Sequence, residues 1–571
     1  MSASSPFRVR VLRKLAAWLC ALLLAAPASA QAPAQAPPPA KQEPPVLRVT
    51  THLVQVSVIV QDKKGEPVAG LTKDDFSILD RGQPQTISTF SVESIHPLPP
   101  PAEPPPPNLF SNRFEQKGGA PASVTVILLD ALNTKFEDMA YARQQIIKFL
   151  GHLQPQDRVA LYSLTTHLTV LHDFTSDATR LLQALDRFKG HSSATLAASE
   201  PDPDSGPAET GIAQLDAFLS GAFQREADFF TTNRARQTAS AIEAIANHVA
   251  RLPGRKNLIW VSGGFPFYIG FDGDAPPSPT QETRTFSDYV ERAARALNNA
   301  NLAIYPVDAR GLIGPAAANP AFSATSHGGP RRGGFPPVRT ISPSRANFDT
   351  MNILADRTGG RAFYNTNDIQ ASIRRAIEDS RLTYVLGYYP SHGAWDGKFR
   401  EIKVQMNRPG LHLRYRRGYF ALPDVPLEFK QRETLLREAV ASPLQATGLG
   451  LNIRVKPVDV PGARNLKMDL QLDPRDISLQ PEGDRWVGAV DLLFVQIAAD
   501  GRQISGEAKT FNMRLLRQTY DSILKDGLVL TRTLPLADGA AQVRVVTRDA
   551  TSGALGSVTI PLDKLFSKAG S

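Results

Sequence analysis

The sequence predicts an α/β centre, a doubly wound and mostly parallel sheet, flanked by a small N-terminal β module and a C-terminal β-sandwich. Three observations predict it. Between residues 122 and 420, nearly continuous apolar runs such as Val124 to Leu129 and Asn257 to Val261 alternate with stretches of helical apolar spacing. That is the pattern of strands covered on both faces by crossover helices. Ahead of this region Val54, Val56, Val58 and Val60 alternate with period two, which marks a strand with one buried face. Behind it, short strand-like runs separated by turns fill residues 448–565, as in a sandwich. A chain of 571 residues is too long for one core, so roughly three domains are expected.

Taken in order, residues 1–30 read as a secretory signal. Arg8, Arg10, Arg13 and Lys14 form a basic start, Leu15 to Ala26 an apolar run too short to span a bilayer, and Ala28-Ser29-Ala30 a small-residue cleavage site. An N-terminal membrane anchor is the competing reading. Residues 31–45 are a Pro-rich linker, 46–95 the small β module, and 96–121 a second Pro-rich linker. The α/β domain is expected over 122–420. Strands are expected at Val124 to Leu129, Val159 to Leu164, Leu168 to Leu171, Asn257 to Val261, Leu302 to Val307 and Arg361 to Tyr364. Helices are expected around Met139 to Leu153, Ala178 to Phe188, Ala239 to Leu252, Phe286 to Leu297, 348–358 and 367–382. Gly359 suits a left-handed helix stop and Asn367 a helix cap. Residues 190–230 read as an irregular insertion and 311–345 as a Gly/Pro/Arg-rich loop. Tyr384 to Tyr389, Arg400 to Met406 and Leu411 to Tyr415 are strands without helices between them, which either extend the sheet or form a β-rich appendage. Residues 421–571 form the β-rich C-terminal domain.

Composition narrows the function classes. The single cysteine, Cys20, lies in the signal, so the mature chain has no disulfide, thiolate metal site or cysteine nucleophile. The net charge of +9 falls to +9 − 4 = +5 once the four basic signal residues are removed. The basic run Arg414, Arg416, Arg417 has no interleaved aromatic stripe, so nucleic acid is not an expected partner. No segment after the signal is long and apolar enough to span a membrane.

In a doubly wound sheet, ligands bind beyond the C-terminal ends of the strands. Three loops fall there: Asp130 to Thr134, Ser262-Gly263-Gly264 and Asp308-Ala309-Arg310. The ordered segments VTVILLDALNT, DRVALYSL, PGRKNLIWVSGG, NLAIYPVDARG and LADRTGGRAFY resemble a von Willebrand factor type A (VWFA) domain. The phrasing is closest to the VWFA-related family described from Acidobacteria, over about 45–420. The resemblance implies an α/β sandwich that binds proteins, often through a metal-ion-dependent adhesion site. That site uses Asp-x-Ser-x-Ser after the first strand, with a Thr and an Asp from later loops, to give Mg²⁺ an oxygen octahedron. Here Asp130 and Thr134 match the first and last positions, while Leu132 stands at the middle one. Asn133 offers an amide oxygen beside it. The later Asp is replaced by the turn Ser262-Gly263-Gly264, and Thr232 or Thr238 is the candidate loop Thr. Two readings stay open: a degenerate Mg²⁺ or Mn²⁺ site at Asp130 and Thr134, or recognition without metal in which Asp130 caps the next helix or satisfies loop amides.

Asp308 either supplies a carboxylate at the same edge or, as expected, hydrogen-bonds the Gly311 turn, and Asp272 with Asp274 is either a Ca²⁺ pair or a solvated one. No His-Glu-x-x-His, P-loop or Gly-x-Ser-x-Gly motif occurs. Ser262 follows a buried strand as a nucleophile would, but neither His167 nor His172 is placed beside it by a motif. The expectation is a non-enzymatic, exported, adhesion-type binding protein in the periplasm or at the cell surface, with Asn133, Ser262, Gly263 and Asp308 on the binding edge and a protein partner. A structural or assembly component of a bacterial envelope complex is the first alternative and a hydrolase the second.

Overall fold

The computed structural model describes residues 53–94, 106, 108–113, 123–188, 194–199, 211–252, 254–265, 299–312, 343–391, 395–421, 429–460 and 463–566, with Ala293, Ala296 and Leu297. The signal, the 31–45 linker, Asp272 and Asp274, and most of the 286–297 helix and 311–345 loop lie outside the described residues.

The protein is mixed α/β and rich in sheets. Its α/β part has the strand order Leu302–Asp308, Arg255–Ser262, Ser123–Asp130, Val159–Leu164, Leu168–Thr175. The first four run parallel, and the last returns antiparallel as a hairpin partner. The apolar runs follow from this placement. On the central strand Val124, Val126 and Leu128 pack toward one helix layer, and Ile127 and Leu129 toward the other, so neither face has room for a polar alternation. Helices Phe136–Leu150, Ala178–Arg187 and Ile369–Glu378 supply one layer; Ala213–Val249 and Pro343–Thr358 supply the other.

The long helix Ala213–Val249 starts well before the expected Ala239. Its first turns carry Leu215, Phe218, Phe223 and Phe229 on exposed positions, so that half lacks the buried apolar stripe from which a helix is read. Gly359 does take a positive φ of 78°, and a Cβ there would lie 2.8 Å from the Arg416 backbone nitrogen. The cap of the following helix is Asp368, not Asn367: Asp368 Oδ1 accepts from Ala371 N at 2.8 Å. Asn367 Oδ1 instead accepts from Leu312 N at 3.0 Å.

The strands around 382–420 do not extend this sheet. They close a sandwich with the N-terminal β module. One sheet is ordered His412–Arg414, Val54–Gln61, Leu382–Tyr388, Ile87–Ser94; the other Gly418–Phe420, Phe399–Met406, Phe76–Asp80, Gln83–Gln85. Val54 faces Tyr388 and Val58 faces Tyr384 in antiparallel register. The expected boundary between a 46–95 module and a 122–420 domain is therefore crossed by main-chain pairing. The reason is packing: four short strands cannot bury both sides of a core, and a second sheet must come from elsewhere in the chain. Tyr384 and Tyr388 are wholly buried in this core, and only Tyr389 is exposed, so no tyrosine stripe is presented.

The C-terminal sandwich has one sheet ordered Leu528–Pro535, Ala463–Leu472, Leu451–Val460, Leu109–Ser111. The opposing sheet contains Gln503–Leu516, Arg485–Ala498, Ala540–Asp549 and Leu555–Pro561. Leu109–Ser111 comes from the second Pro-rich linker, which is thus more than a spacer. The buried Asn112 fastens it: Nδ2 donates to the carbonyls of Ala446 and Leu449, each at 2.8 Å, and Oδ1 accepts from Leu451 N at 2.8 Å. The long helix meets this sandwich at its C-terminal end, where Thr447 N donates to Asn247 O at 2.9 Å.

At the N-terminal end of the α/β strands, Lys256 is 6% exposed. Burial pushes its ammonium down to about 8, opposed by the charge of Glu93 on the neighbouring sandwich.

Candidate functional site

The C-terminal ends of the parallel strands bring together Asp130, Asn133, Thr134 and Ser262, with Thr238 from the long helix. All five are buried. Asp130 closes its strand, so its carboxylate points into the turn that leads to helix Phe136–Leu150. Asn133 N donates to Asp130 Oδ1 at 3.1 Å, an Asx-type turn. The same carboxylate accepts from Trp260 Nε1 at 2.9 Å and lies 2.9 Å from Ser262 Oγ, both on its Oδ2. Asn133 Nδ2 stands 3.1 Å from Oδ1, 2.9 Å from Oδ2 and 2.9 Å from Thr238 Oγ1. Arg234 Nη1 then donates to Asn133 Oδ1 at 2.9 Å.

Thr134 stitches two loops. Its hydroxyl donates to the Asp130 carbonyl at 2.5 Å and accepts from Gly263 N at 2.8 Å. Ser262 Oγ also lies 2.6 Å from Gly264 O, so its one proton serves two acceptors. Gly263 and Gly264 pack against Asn133: a Cβ on either would sit 3.4 Å from the Asn133 carbonyl oxygen. Burial pushes the Asp130 carboxyl above its ordinary range, and the donors from Asn133, Trp260 and Ser262 pull against that shift.

Asp308 sits at the same edge but outside this network. Its Oδ1 accepts from Arg310 N at 2.9 Å, in the turn that leads into Gly311, and Arg310 Nε and Nη2 also reach Oδ1 and Oδ2 at 2.9 and 2.8 Å, a bidentate pair. Thr232 takes no hydrogen bond in the network, whereas Thr238 does. Sequence reasoning missed Trp260 and Arg234. Trp260 looks like any core residue of a strand, and only its indole N–H, directed at Asp130, distinguishes it. Phe136 and Leu312, 52% and 64% exposed, flank the edge and are apolar surface that a periodicity count does not find.

The donor set does not fit Mg²⁺ or Mn²⁺. A hard cation needs several oxygen lone pairs and near-octahedral space. The lone carboxylate already accepts from five hydrogen-bond contacts, about as many as its lone pairs hold. The Thr134 hydroxyl is turned to main-chain groups, and Leu132 has no ligand atom. Among the described residues no cluster of three His, Cys, Asp or Glu side chains is close enough to hold a metal.

Ser262 is wholly buried, and its hydroxyl is held by Asp130 Oδ2 and Gly264 O. His167 Nδ1 meets Thr166 Oγ1 at 3.0 Å and His172 Nδ1 donates to Asp173 O at 2.6 Å; neither partners Ser262. A groove of about 820 Å³ runs between Leu168, Val170 and Ala244 of the α/β part and Leu435 and Leu444 beyond it; Thr166 and His167 also line it, but Asp130, Asn133, Thr134, Thr238 and Ser262 do not.

Among the described residues no helix is long and apolar enough to cross a membrane. No family model matches the chain, and no curated protein matches it. Solved structures do share likeness. An aerotolerance-related membrane protein from Bacteroides fragilis is 14% identical, with 45% of this chain and 98% of that chain covered and a TM-score of 0.23. The VWA domain of SpRpn10 is 15% identical over 30% of this chain and 94% of that one, with a TM-score of 0.14. The pilus adhesin SpaC from Lactobacillus rhamnosus GG is 8% identical over 86% and 59%, with a TM-score of 0.23. At these scores the likenesses carry no argument about what the chain does.

Proposed function

We propose that this is an exported, non-enzymatic protein–protein recognition molecule of the adhesion type, built on a VWFA-like domain and acting in the periplasm or at the cell surface. The observation that carries the reading is the strand-end edge itself. Two loops and a helix are fastened by buried hydrogen bonds into one preorganised edge, and the Ser262 hydroxyl is itself buried and held by Asp130 and Gly264. Preorganisation lowers the cost of binding a partner. The partner would meet the exposed Phe136 and Leu312 and the loops of Asn133, Ser262, Gly263 and Asp308.

The test uses the mature chain immobilised against the envelope fraction of the producing cell, beside a Phe136→Asp/Leu312→Asp variant. Reversible capture by the wild type, lost in a variant of unchanged melting temperature, supports the reading. Capture equal in both sinks the edge as the binding surface. A chain that purifies only in a fixed stoichiometric complex favours the envelope-assembly alternative.

A further inference from the structure

We infer that the carboxamide of Asn133 stands where a divalent cation would stand in a metal-ion-dependent adhesion site, so that this edge is organised without metal. The inference rests on local geometry and holds whichever partner binds. Three oxygens from two separate elements, Asp130 Oδ1, Asp130 Oδ2 and Thr238 Oγ1, converge on one nitrogen at 3.1, 2.9 and 2.9 Å. An amide nitrogen has two protons. One is shared across the carboxylate and the other goes to Thr238, whose own proton goes to the Arg234 carbonyl at 2.8 Å. The other end of the carboxamide accepts from the Arg234 guanidinium at 2.9 Å. That contact fixes which end of the amide faces Asp130, since only the oxygen accepts. It also brings one positive charge toward the buried carboxylate, relayed through a neutral group.

The arrangement does the two things a cation would do. It joins the Asp130 loop to the long helix, and it offsets the carboxylate charge. It differs in being covalently part of the chain, so it cannot be removed by a chelator or diluted away. A cation could enter only by displacing the amide from three acceptors, in a place where Asn133 is 2% and Thr238 0% exposed, and Mg²⁺ dehydrates reluctantly.

The decisive variant is Asn133→Asp, which swaps one NH₂ for an oxygen of the same size. It removes the donor and sets a second carboxylate against Asp130, the donor set a divalent cation seeks. The mature wild type and N133D are melted in chelator and in Mg²⁺ or Mn²⁺, and Trp260 emission is followed during Mn²⁺ titration. Trp260 is a built-in reporter, because its indole nitrogen lies 2.9 Å from Asp130 Oδ2 and paramagnetic Mn²⁺ at that carboxylate would quench it. The wild type is expected to melt at the same temperature in chelator and in metal, with no saturable quenching. N133D is expected to melt about 5 °C or more lower in chelator, to recover on adding metal, and to quench saturably. Two results would overturn the inference: saturable Mn²⁺ quenching in the wild type that is abolished by Asp130→Ala, or an N133D protein that melts in chelator at the wild-type temperature.

Discussion

Two buried aspartates divide the labour of this molecule. Asp80 lies inside the N-terminal sandwich, where Tyr388 and Tyr419 each donate a hydroxyl to its Oδ2 at 2.9 Å. Asp130 lies at the rim of the α/β sheet, where the donors are an indole, a hydroxyl, an amide and a backbone N–H. Burial, reinforced by Asp80, pushes both phenols well above their ordinary range, which keeps them as donors to the carboxylate. Asp80 thus joins strands far apart in the chain and fastens a core. Asp130 joins loops and fastens a surface. A buried charge is tolerated only when it is hydrogen-bonded or paired, and the donors act with different consequences at the two sites: at Asp80 they help close the sandwich, at Asp130 they shape an edge.

Mutations can sharpen that contrast. The largest effect is expected from Asp130→Ala, which strands the Trp260, Ser262 and Asn133 donors together; a loss of about 3–5 kcal/mol in denaturant unfolding is expected, together with loss of partner capture. Tyr388→Phe removes one of the two phenol donors to Asp80 and should cost about 1–2 kcal/mol while leaving capture at the strand-end edge intact. If Tyr388→Phe abolished capture at unchanged fold, the division between core and surface would fall. Lys256 offers a pH test at the other end of the sheet. Its folded value of about 8 lies below the ordinary 10.5, so between those values the unfolded chain holds a proton the folded one has released. Stability therefore rises with pH through that window and is lowest below it. Lys256→Met should flatten that rise in a pH series of chemical denaturations. Smallest of all, Tyr389→Ala on the exposed end of its strand should change stability by less than about 0.5 kcal/mol; a larger change would mean the tyrosine segment does more than pack.

Local pattern made much of the fold legible. The run through Val124 to Leu129, the alternation from Val54 to Val60 and the stop at Gly359 each carry their own signal, because burial on two faces, burial on one face and a positive φ restrict residue type directly. Partnership between strands carries no such signal. Nothing in Leu382–Tyr388 distinguishes a neighbour of Val54–Gln61 from a neighbour of the α/β sheet, since both environments ask for the same apolar residues. The first half of helix Ala213–Val249 was illegible for the opposite reason, as its apolar residues lie exposed. At the edge, Asp130, Asn133, Thr134 and Thr238 were legible as neighbours through the resemblance. Their hydrogen bonds were not, because whether an asparagine offers its oxygen or its nitrogen depends on Arg234, placed by a helix a hundred residues away.

The pairing of Leu382 with Ser94 sets an order of events. A chain that emerges from its N-terminus produces Val54–Gln61 and Ile87–Ser94 first, yet the strand that lies between them arrives only after the whole α/β sheet has been made. Leu109–Ser111 waits longer still, for Asn452–Arg454. The α/β sheet, whose strands all fall within the intervening stretch, can assemble while both sandwiches remain open. The earliest strands to appear thus wait for partners made hundreds of residues later, and until then their edges are open to pairing with other chains.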